Sequence, residues 1–338
     1  MKLLARQCAV LIAFFSGLLC CYQASAHVKW FVPGEAGTLA ASLYSFSDTP
    51  VLIWIGAALV MISLSVFLDS RLPVYSQLSR ARQEYLISLL RWGTGLSLLM
   101  SAGNGAILAP HLVAQSPFAN FLVMFEAVVG LLLMVNFHPF AATLLLILLW
   151  LGVALAFGPI TALEYLNIAG IATCLLLFHF HPEKYRVHIK AYSIAALRIL
   201  TGCSLVVLGL TEKLLNPQLG EYFVRDYRWN FMARSGVEMF SDQLFVFSVG
   251  VMEVVFGIIL ILGTTTRLNI LVVSGFMLAS NITFFVTRNY SEALVEIFGH
   301  LPIIATAIIL IFFGSGNKLK ITDLWRKEPA DLDKFRHK

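Results

Sequence analysis

The sequence predicts an all-α fold: a polytopic membrane helix bundle with nine transmembrane helices after a signal peptide, arranged as two parallel four-helix repeats plus one extra helix. The first observation is composition, because 59% of the 338 residues are hydrophobic and only 13% are charged, which excludes an ordinary soluble globular protein. The second is a series of apolar runs that each approach the roughly 20 residues needed to cross a bilayer. The third is a set of motifs that recurs along the chain. The runs should be helical because lipid offers no partner to an unpaired backbone amide.

Residues 1–26 have the three parts of a secretory signal. A basic start precedes the apolar run at residues 8–19, and an Ala-Ser-Ala triplet ends at Ala26. We expect cleavage after Ala26, which would make His27 the first residue of the mature chain. An uncleaved signal anchor, adding one helix, is the alternative.

Nine apolar runs after the signal are long enough to be transmembrane helices. They lie near residues 50–68, 85–108, 118–136, 140–157, 163–180, 194–215, 244–263, 267–287 and 294–314. With residue 27 outside, fourteen lysines and arginines fall on the cytoplasmic side and six on the outer side. This asymmetry follows the positive-inside rule and predicts a bacterial inner-membrane protein with a periplasmic mature N-terminus and a cytoplasmic C-terminus.

The runs divide the chain into segments. They are the signal peptide (1–26), a periplasmic segment (27–48), the first transmembrane helix with a cytoplasmic loop (49–84), the first four-helix repeat (85–193), the second four-helix repeat (194–314) and a basic cytoplasmic tail (315–338). The second repeat contains one long outer loop at 220–243, rich in aromatic residues and arginine. We expect this loop to lie at the membrane interface, anchored by Tyr222, Tyr227 and Trp229, with a lid over a site as the alternative.

Residues 89–112 align with residues 196–219 at a constant offset of 107, which is the evidence for a tandem duplication. The positions that this alignment and its continuation pair are Arg91/Arg198, Thr94/Thr201, Gly95/Gly202, Glu126/Glu253 and Glu164/Glu296. Each repeat has an even number of spans, so both enter the membrane in the same sense. This predicts a pseudo-twofold axis along the membrane normal.

Two stretches of the second repeat carry a family resemblance. They are ALRILTGCSLVVLGLTEKLLNP (196–217) and MEVVFGIILILGTTTRLNIL (252–271). Together they resemble the DoxX family of four-helix membrane proteins, whose relatives include a subunit associated with thiosulfate:quinone oxidoreductase. The resemblance implies a four-helix scaffold tied to a membrane redox system. It is weak in the first repeat, where Ala106 stands at the position of Lys213.

Four polar residues are candidates for a proton or ion relay: Glu126, Glu253, Glu164 and Asn281. A charge near the middle of a membrane helix is costly and normally faces the protein interior or a water-filled cavity. A buried ion pair, or a carboxyl group bonded to backbone, would explain the two central glutamates equally well. Asn281 is polar enough to bond across helices, which is commonly a packing role.

A possible metal site would use His27 together with residues that should share its side of the membrane. A free α-amine and an imidazole at one N-terminal residue form a nitrogen chelate that suits copper. The other candidate ligands are His111, Glu296 and His300, the last two at i and i+4 on one helical face. The alternatives are an interfacial start for the chain, with Lys29 at the headgroups, and a simple hydrogen bond between His300 and Glu296.

Three further charges, Arg91, Arg198 and Lys213, are assigned structural roles. The two arginines lie about two turns from the cytoplasmic ends of their helices, from which long side chains can reach the interface.

These observations leave four functional hypotheses. The first is a subunit or partner of a periplasm-facing redox or quinone-linked system. The sequence contains no haem, flavin or iron–sulfur motif, so electron transfer would require a partner's cofactor or a bound quinone. The second is a proton- or cation-coupled transporter using Glu126 and Glu253, against which the count of nine helices and the lack of broken-helix signals argue. The others are a copper-binding protein built on His27 and an assembly factor. Expected partners are the lipid bilayer and a redox protein, not nucleic acid.

Overall fold

The computed structural model describes residues 28–32, 43–72, 78–180, 188–316 and 318–324, which form a helical bundle. The predicted all-helical membrane fold is confirmed. The helices are α1 (Thr49–Arg71), α2 (Arg80–Gly103), α3 (Pro117–Val135), α4 (Pro139–Phe157), α5 (Pro159–Glu164), α6 (Leu166–Phe178), α7 (Ser193–Gly209, continued by a π-helical turn at Leu210–Leu214), α8 (Pro217–Asp226), α9 (Phe231–Arg234), α10 (Asp242–Leu262), α11 (Thr266–Val286), α12 (Tyr290–Gly299) and α13 (Leu301–Phe313). Short 3₁₀ turns lie at Val28–Trp30 and Ile321–Leu324. The predicted signal peptide and His27 lie outside the described residues.

The predicted count of nine spans is not confirmed. Within the described ranges, six helices are long and apolar enough to cross a membrane, or seven if the bent pair α12–α13 is one span. Each of the nine predicted runs lies mostly in helix, but α2 carries Arg91 among glycines and serines, which lowers its hydropathy. The run at 163–180 is interrupted at Tyr165, leaving α6 with 13 residues.

Broken helices are a feature that the sequence analysis did not anticipate. One predicted span breaks at Tyr165 between α5 and α6, and another breaks at His300, where α12 and α13 meet at 55°. A β-hairpin, β1 (Ala106–Ile107) paired with β2 (Ala109–Val113), follows α2. Its connecting residue Leu108 has φ +61°, a left-handed value that is uncommon outside glycine. Irregular backbone at such points must find partners inside the protein.

Glycine pairs allow the first two helices of each predicted repeat to cross closely. A Cβ atom on Gly95 would lie 2.8 Å from the carbonyl oxygen of Gly130, and one on Gly202 would lie 2.7 Å from that of Gly257. Small residues at such crossings let membrane helices approach backbone to backbone. The two halves meet through their first and last helices, because α6 packs on α7 and α13 packs on α2.

One end of the bundle is covered by residues 28–32, the β-hairpin and residues 217–241, and we call it the capped end. Val28 is fully buried there, in an apolar cluster with Phe223, Trp229 and Phe284. Trp229 is only 2% exposed and its ring centroid lies 5.6 Å from that of Phe284. The long loop is therefore packed onto the helix ends, and Trp229 differs from the expected interfacial anchor because these aromatic partners enclose it.

At the opposite end, polar contacts attach α1 to the second half. The carboxylate of Asp69 accepts hydrogen bonds from the Thr265 backbone N–H (3.0 Å) and the Thr322 hydroxyl (3.1 Å). The hydroxyl groups of Ser65 and Thr264 are 2.8 Å apart. Elsewhere α1 is largely exposed, as expected for a helix that faces lipid.

Candidate functional site

A cavity of about 120 Å³ lies in the second half, among α7, α10, α11 and α13. Its wall is mostly apolar, with Trp54 of α1 on one side and Phe231 and Phe240 of the capped end among its lining. Lys213, Glu253 and His300 also line it. An apolar cavity with a few polar groups is the usual form of a small-molecule site.

The π-helical turn Leu210–Leu214 brings two adjacent charged residues into the protein interior. Glu212 is 1% exposed and Lys213 is 3% exposed. Lys213 Nζ lies 2.9 Å from Glu253 Oε2, forming a buried ion pair in the cavity wall. Single π turns inside helices are frequent at functional sites because they redirect side chains. Gly250 leaves room for this arrangement, since a Cβ there would lie 2.9 Å from the Lys213 Cβ.

Glu126, which the sequence alignment pairs with Glu253, has a different partner. Its two carboxylate oxygens accept from the Leu108 backbone N–H at 3.0 and 3.2 Å, and the side chain is fully buried. Ala106 occupies the position of Lys213, so no ammonium group is available from that residue. The hairpin amide is the polar partner instead, which makes the two glutamates equivalent in position but different in chemistry.

Glu164 is buried and forms a second ion pair, whose lysine is partly exposed. Its Oε1 lies 2.5 Å from Lys29 Nζ and accepts a hydrogen bond of 2.7 Å from the Thr211 hydroxyl. The Ser204 hydroxyl donates to the Glu164 backbone carbonyl. Lys29 is therefore bound to the first half of the bundle through the Glu164 carboxylate.

Residues 28–32 also contact the second half directly. The Val28 backbone N–H donates to Glu212 Oε2 at 3.1 Å. This segment thus links a carboxylate of each half, Glu164 and Glu212, across the interface of α6 and α7. The sequence analysis missed Glu212, Thr211 and the role of Lys29. Glu212 could have been found from the sequence, because it stands next to Lys213 within an apolar run.

His300 sits at the break between α12 and α13 and is 5% exposed. Its Nδ1 lies 2.8 Å from the backbone carbonyl oxygen of Glu296, and its ring centroid lies 4.6 Å from that of Trp30. Trp30 Nε1 donates to the Tyr165 hydroxyl at 3.2 Å. The segment at residues 28–32 therefore contacts both helix breaks, and through His300 it reaches the cavity wall.

Gly299 provides the space in which Trp30 rests, and we expect Gly299→Ala to displace that ring. A Cβ on Gly299 would lie 2.5 Å from the indole, closer than real Cβ contacts. Displacement should raise Trp30 exposure, measured as a red-shifted and more readily acrylamide-quenched emission in a variant whose other tryptophans are replaced by phenylalanine. The control is Gly275→Ala, where nothing lies within 4 Å of the added methyl group. Equal spectra for the two variants would contradict this placement of Trp30.

The candidate metal ligands are not gathered into a site by the described part of the chain. Among the described residues, no group of three or more histidine, cysteine, aspartate or glutamate side chains is placed to hold a metal ion. His111 lies on β2, its ring centroid 6.3 Å from that of Tyr165, while Glu296 and His300 are at the helix break. His27 lies outside the described ranges, so the copper hypothesis stays a prediction.

Asn281 bonds within its own helix, because its Nδ2 donates to the Met277 carbonyl oxygen at 3.3 Å. This contact does not connect it with the glutamates that the sequence analysis grouped it with.

The two structural arginines bond to backbone carbonyl groups at helix ends. Arg91 donates to Leu133 at 2.7 Å. Arg198 is fully buried and donates to the carbonyls of Leu260, Ile261, Ser315 and Leu319. Both guanidinium groups meet the negative end of a helix dipole. Arg198 additionally connects α7 with α10 and the segment after α13, so it does not extend to the membrane interface as the sequence suggested.

Part of the chain is similar to a known protein family. Residues 193–287 match the family model DoxX, and this region contains α7, α8, α9, α10 and α11. The match is consistent with the DoxX-like membrane protein that the motifs predicted, and it includes Arg198, Lys213 and Glu253. No curated protein and no solved structure matches the chain.

Proposed function

We propose that this membrane protein of DoxX type is the membrane subunit of a quinone-linked redox system, and that it binds a quinone ring in the cavity beside Lys213 and Glu253. The observation that carries the proposal is a mostly apolar cavity with a buried ion pair in its wall. A quinone has an apolar ring and tail with carbonyl oxygens that require hydrogen-bond donors. Lys213 lines the cavity and is a charged donor. Hydrogen bonds from charged donors are stronger than those between neutral groups.

The ion pair would also position a quinone for reduction. When bound, a quinone would take up two electrons and two protons to become a quinol, with the electrons supplied by a partner protein. Lys213 would donate a hydrogen bond to a ring oxygen, and Glu253 would hold the ammonium group in position.

We further propose that the chain arose by tandem duplication, with the capped end facing the periplasm of a bacterial inner membrane. The equivalent glycine crossings and the equivalent arginine-to-carbonyl contacts support the duplication. The distribution of basic residues in the sequence supports the orientation. A periplasmic redox partner would then meet residues 217–241.

Binding of a short-chain benzoquinone to the purified protein in lipid nanodiscs tests the assignment. We expect saturable binding by the wild type, and a loss of affinity of about ten-fold or more when both members of the pair are replaced in Lys213→Met/Glu253→Met. Glu126→Gln is the matched control and should bind like the wild type, because Glu126 contacts the hairpin and not the cavity. Absence of saturable binding, or equal affinity in the double variant, would overturn the proposal.

Coupled transport is a second candidate, and the break at His300 beside the cavity is the observation that favours it. Interrupted helices commonly form the ion and substrate sites of transporters. Under this hypothesis Glu253 alone would carry the proton, since the Glu126 carboxylate is engaged by Leu108. Proton flux into proteoliposomes that is the same for the wild type and Glu253→Gln would remove this candidate.

A further inference from the structure

Two threonines in the cavity wall have hydroxyl groups without a hydrogen-bond partner among the described residues. They are Thr201 on α7 and Thr306 on α13, which are 4% and 2% exposed. Among other threonines in membrane helices, Thr143 and Thr173 donate to the carbonyl oxygen four residues earlier. Thr94 and Thr266 also have hydroxyl groups without a partner among the described residues, but they do not line the cavity. A buried hydroxyl group that lacks this bond is destabilising unless another group accepts from it or donates to it.

The threonines lie deeper in the cavity than the ion pair. Gly202, next to Thr201, packs against Gly257, and Gly257 follows Glu253 by four residues. Four residues of helix rise about 6 Å. The Thr201 level is therefore about one helical turn from the Glu253 level. On α13, Thr306 lies six residues beyond His300, which lines the cavity at the break. The cavity thus has polar groups at two depths. Ser204 and Ser248 also line it, but their hydroxyl groups already donate to backbone carbonyl oxygens.

We propose that Thr201 and Thr306 form a second polar subsite, which binds a second oxygen atom of the ligand. The inference rests on the proposed function and specifies the ligand further. It must carry two oxygen functions at opposite ends of a compact apolar ring, one for Lys213 and one for the threonine hydroxyls. A para-dioxygenated ring has this form, and a ring with a single oxygen does not. The two threonines are thereby specificity-determining residues, because a hydroxyl group can either donate to a carbonyl or accept from a phenol.

Two ring probes with the same decyl chain separate this subsite from the cavity as a whole: a decyl-1,4-benzoquinone with two ring oxygens, and a decylphenol with one. We expect the wild type in nanodiscs to bind the quinone more tightly than the phenol. Thr201→Val and Thr306→Val, which replace a hydroxyl by a methyl group of similar size, should each lower quinone affinity roughly five-fold. Neither change should alter phenol affinity, so the preference for two oxygens should shrink.

Three variants guard against indirect effects. Thr201→Ser and Thr306→Ser retain the hydroxyl and should restore quinone affinity, which a purely structural defect would not predict. Thr173→Val removes a hydroxyl that is already bonded to Ala169 and should change neither affinity. If both probes bind the wild type but the valine variants bind quinone normally, the subsite is refuted and the proposed function stands. If neither probe binds the wild type, both proposals fail.

Discussion

Lys213→Met should lower the free energy of unfolding by about 3 kcal/mol, because it removes the buried ammonium group that pairs with the mostly buried Glu253 carboxylate. Lys213 is 3% exposed and the Glu253 side chain 15% exposed, so water compensates the lost ammonium poorly. Breaking one side of a buried pair costs more than the pair contributes. The measurement is equilibrium unfolding titrated with SDS in mixed micelles, followed by circular dichroism.

The double variant Lys213→Met/Glu253→Met supplies the control for that result. It removes both charges and should recover most of the lost stability, since an apolar pair of similar volume often replaces a buried ion pair without cost. Arg80→Met is the matched surface control, because the Arg80–Glu84 pair is 79% and 55% exposed and such pairs contribute little. A double variant as unstable as Lys213→Met would show that the packing of the side chain, and not the charge, is what matters.

Arg198→Met should be among the most destabilising single substitutions in the protein, at about 4 kcal/mol or more. The guanidinium group is fully buried and donates to four carbonyl groups from two separate segments. Removing it takes the guanidinium donor from all four acceptors, two of which lie at the end of α10, where Gly263 provides the space for the side chain. Thermal unfolding monitored by dye labelling of the native cysteines, Cys174 and Cys203, would report the loss.

The corresponding arginine of the first half is the natural comparison. Arg91 makes one described carbonyl contact, to Leu133, so Arg91→Met should cost only about 1–3 kcal/mol. Arg198→Lys should recover little of the stability, because an ammonium group cannot reproduce the planar fork of donors. Equal losses for Arg91→Met and Arg198→Met would mean that the helix-end contact alone matters and that the segment after α13 contributes nothing.

Local composition was sufficient for much of the architecture. The positions of the helices follow from hydropathy, and the glycines that permit the two close crossings lie where the internal alignment pairs them. The same alignment paired Arg91 with Arg198, and both side chains donate to backbone carbonyl groups at helix ends. These features depend on the hydropathy and size of residues that are close together in the chain, so a short stretch of sequence is enough to predict them.

The helix breaks were harder to predict for a physical reason. Tyr165 is an ordinary residue in an apolar run, whereas His300 lies in the stretch Gly-His-Leu-Pro (299–302), whose glycine and proline are a local signal that the sequence analysis did not use. Their breaks are stabilised by tertiary contacts, such as the Trp30 indole against His300 and its bond to Tyr165. Trp30 is far from both residues in the chain, so local propensity does not report the contact.

The sequence by itself determined that this is a helical membrane protein with charged residues in its apolar runs, and that part of its second half, residues 193–287, is similar to the DoxX family. The tertiary structure alone decided which charges pair: Lys213 with Glu253 across 40 residues, Lys29 with Glu164 across 135, and the Val28 amide with Glu212 across 184. A buried carboxylate requires a hydrogen-bond donor or a cation, and any such group that packing brings close can satisfy it. For this reason Glu126 and Glu253 share a position and differ in partner, and only one of them lines a cavity.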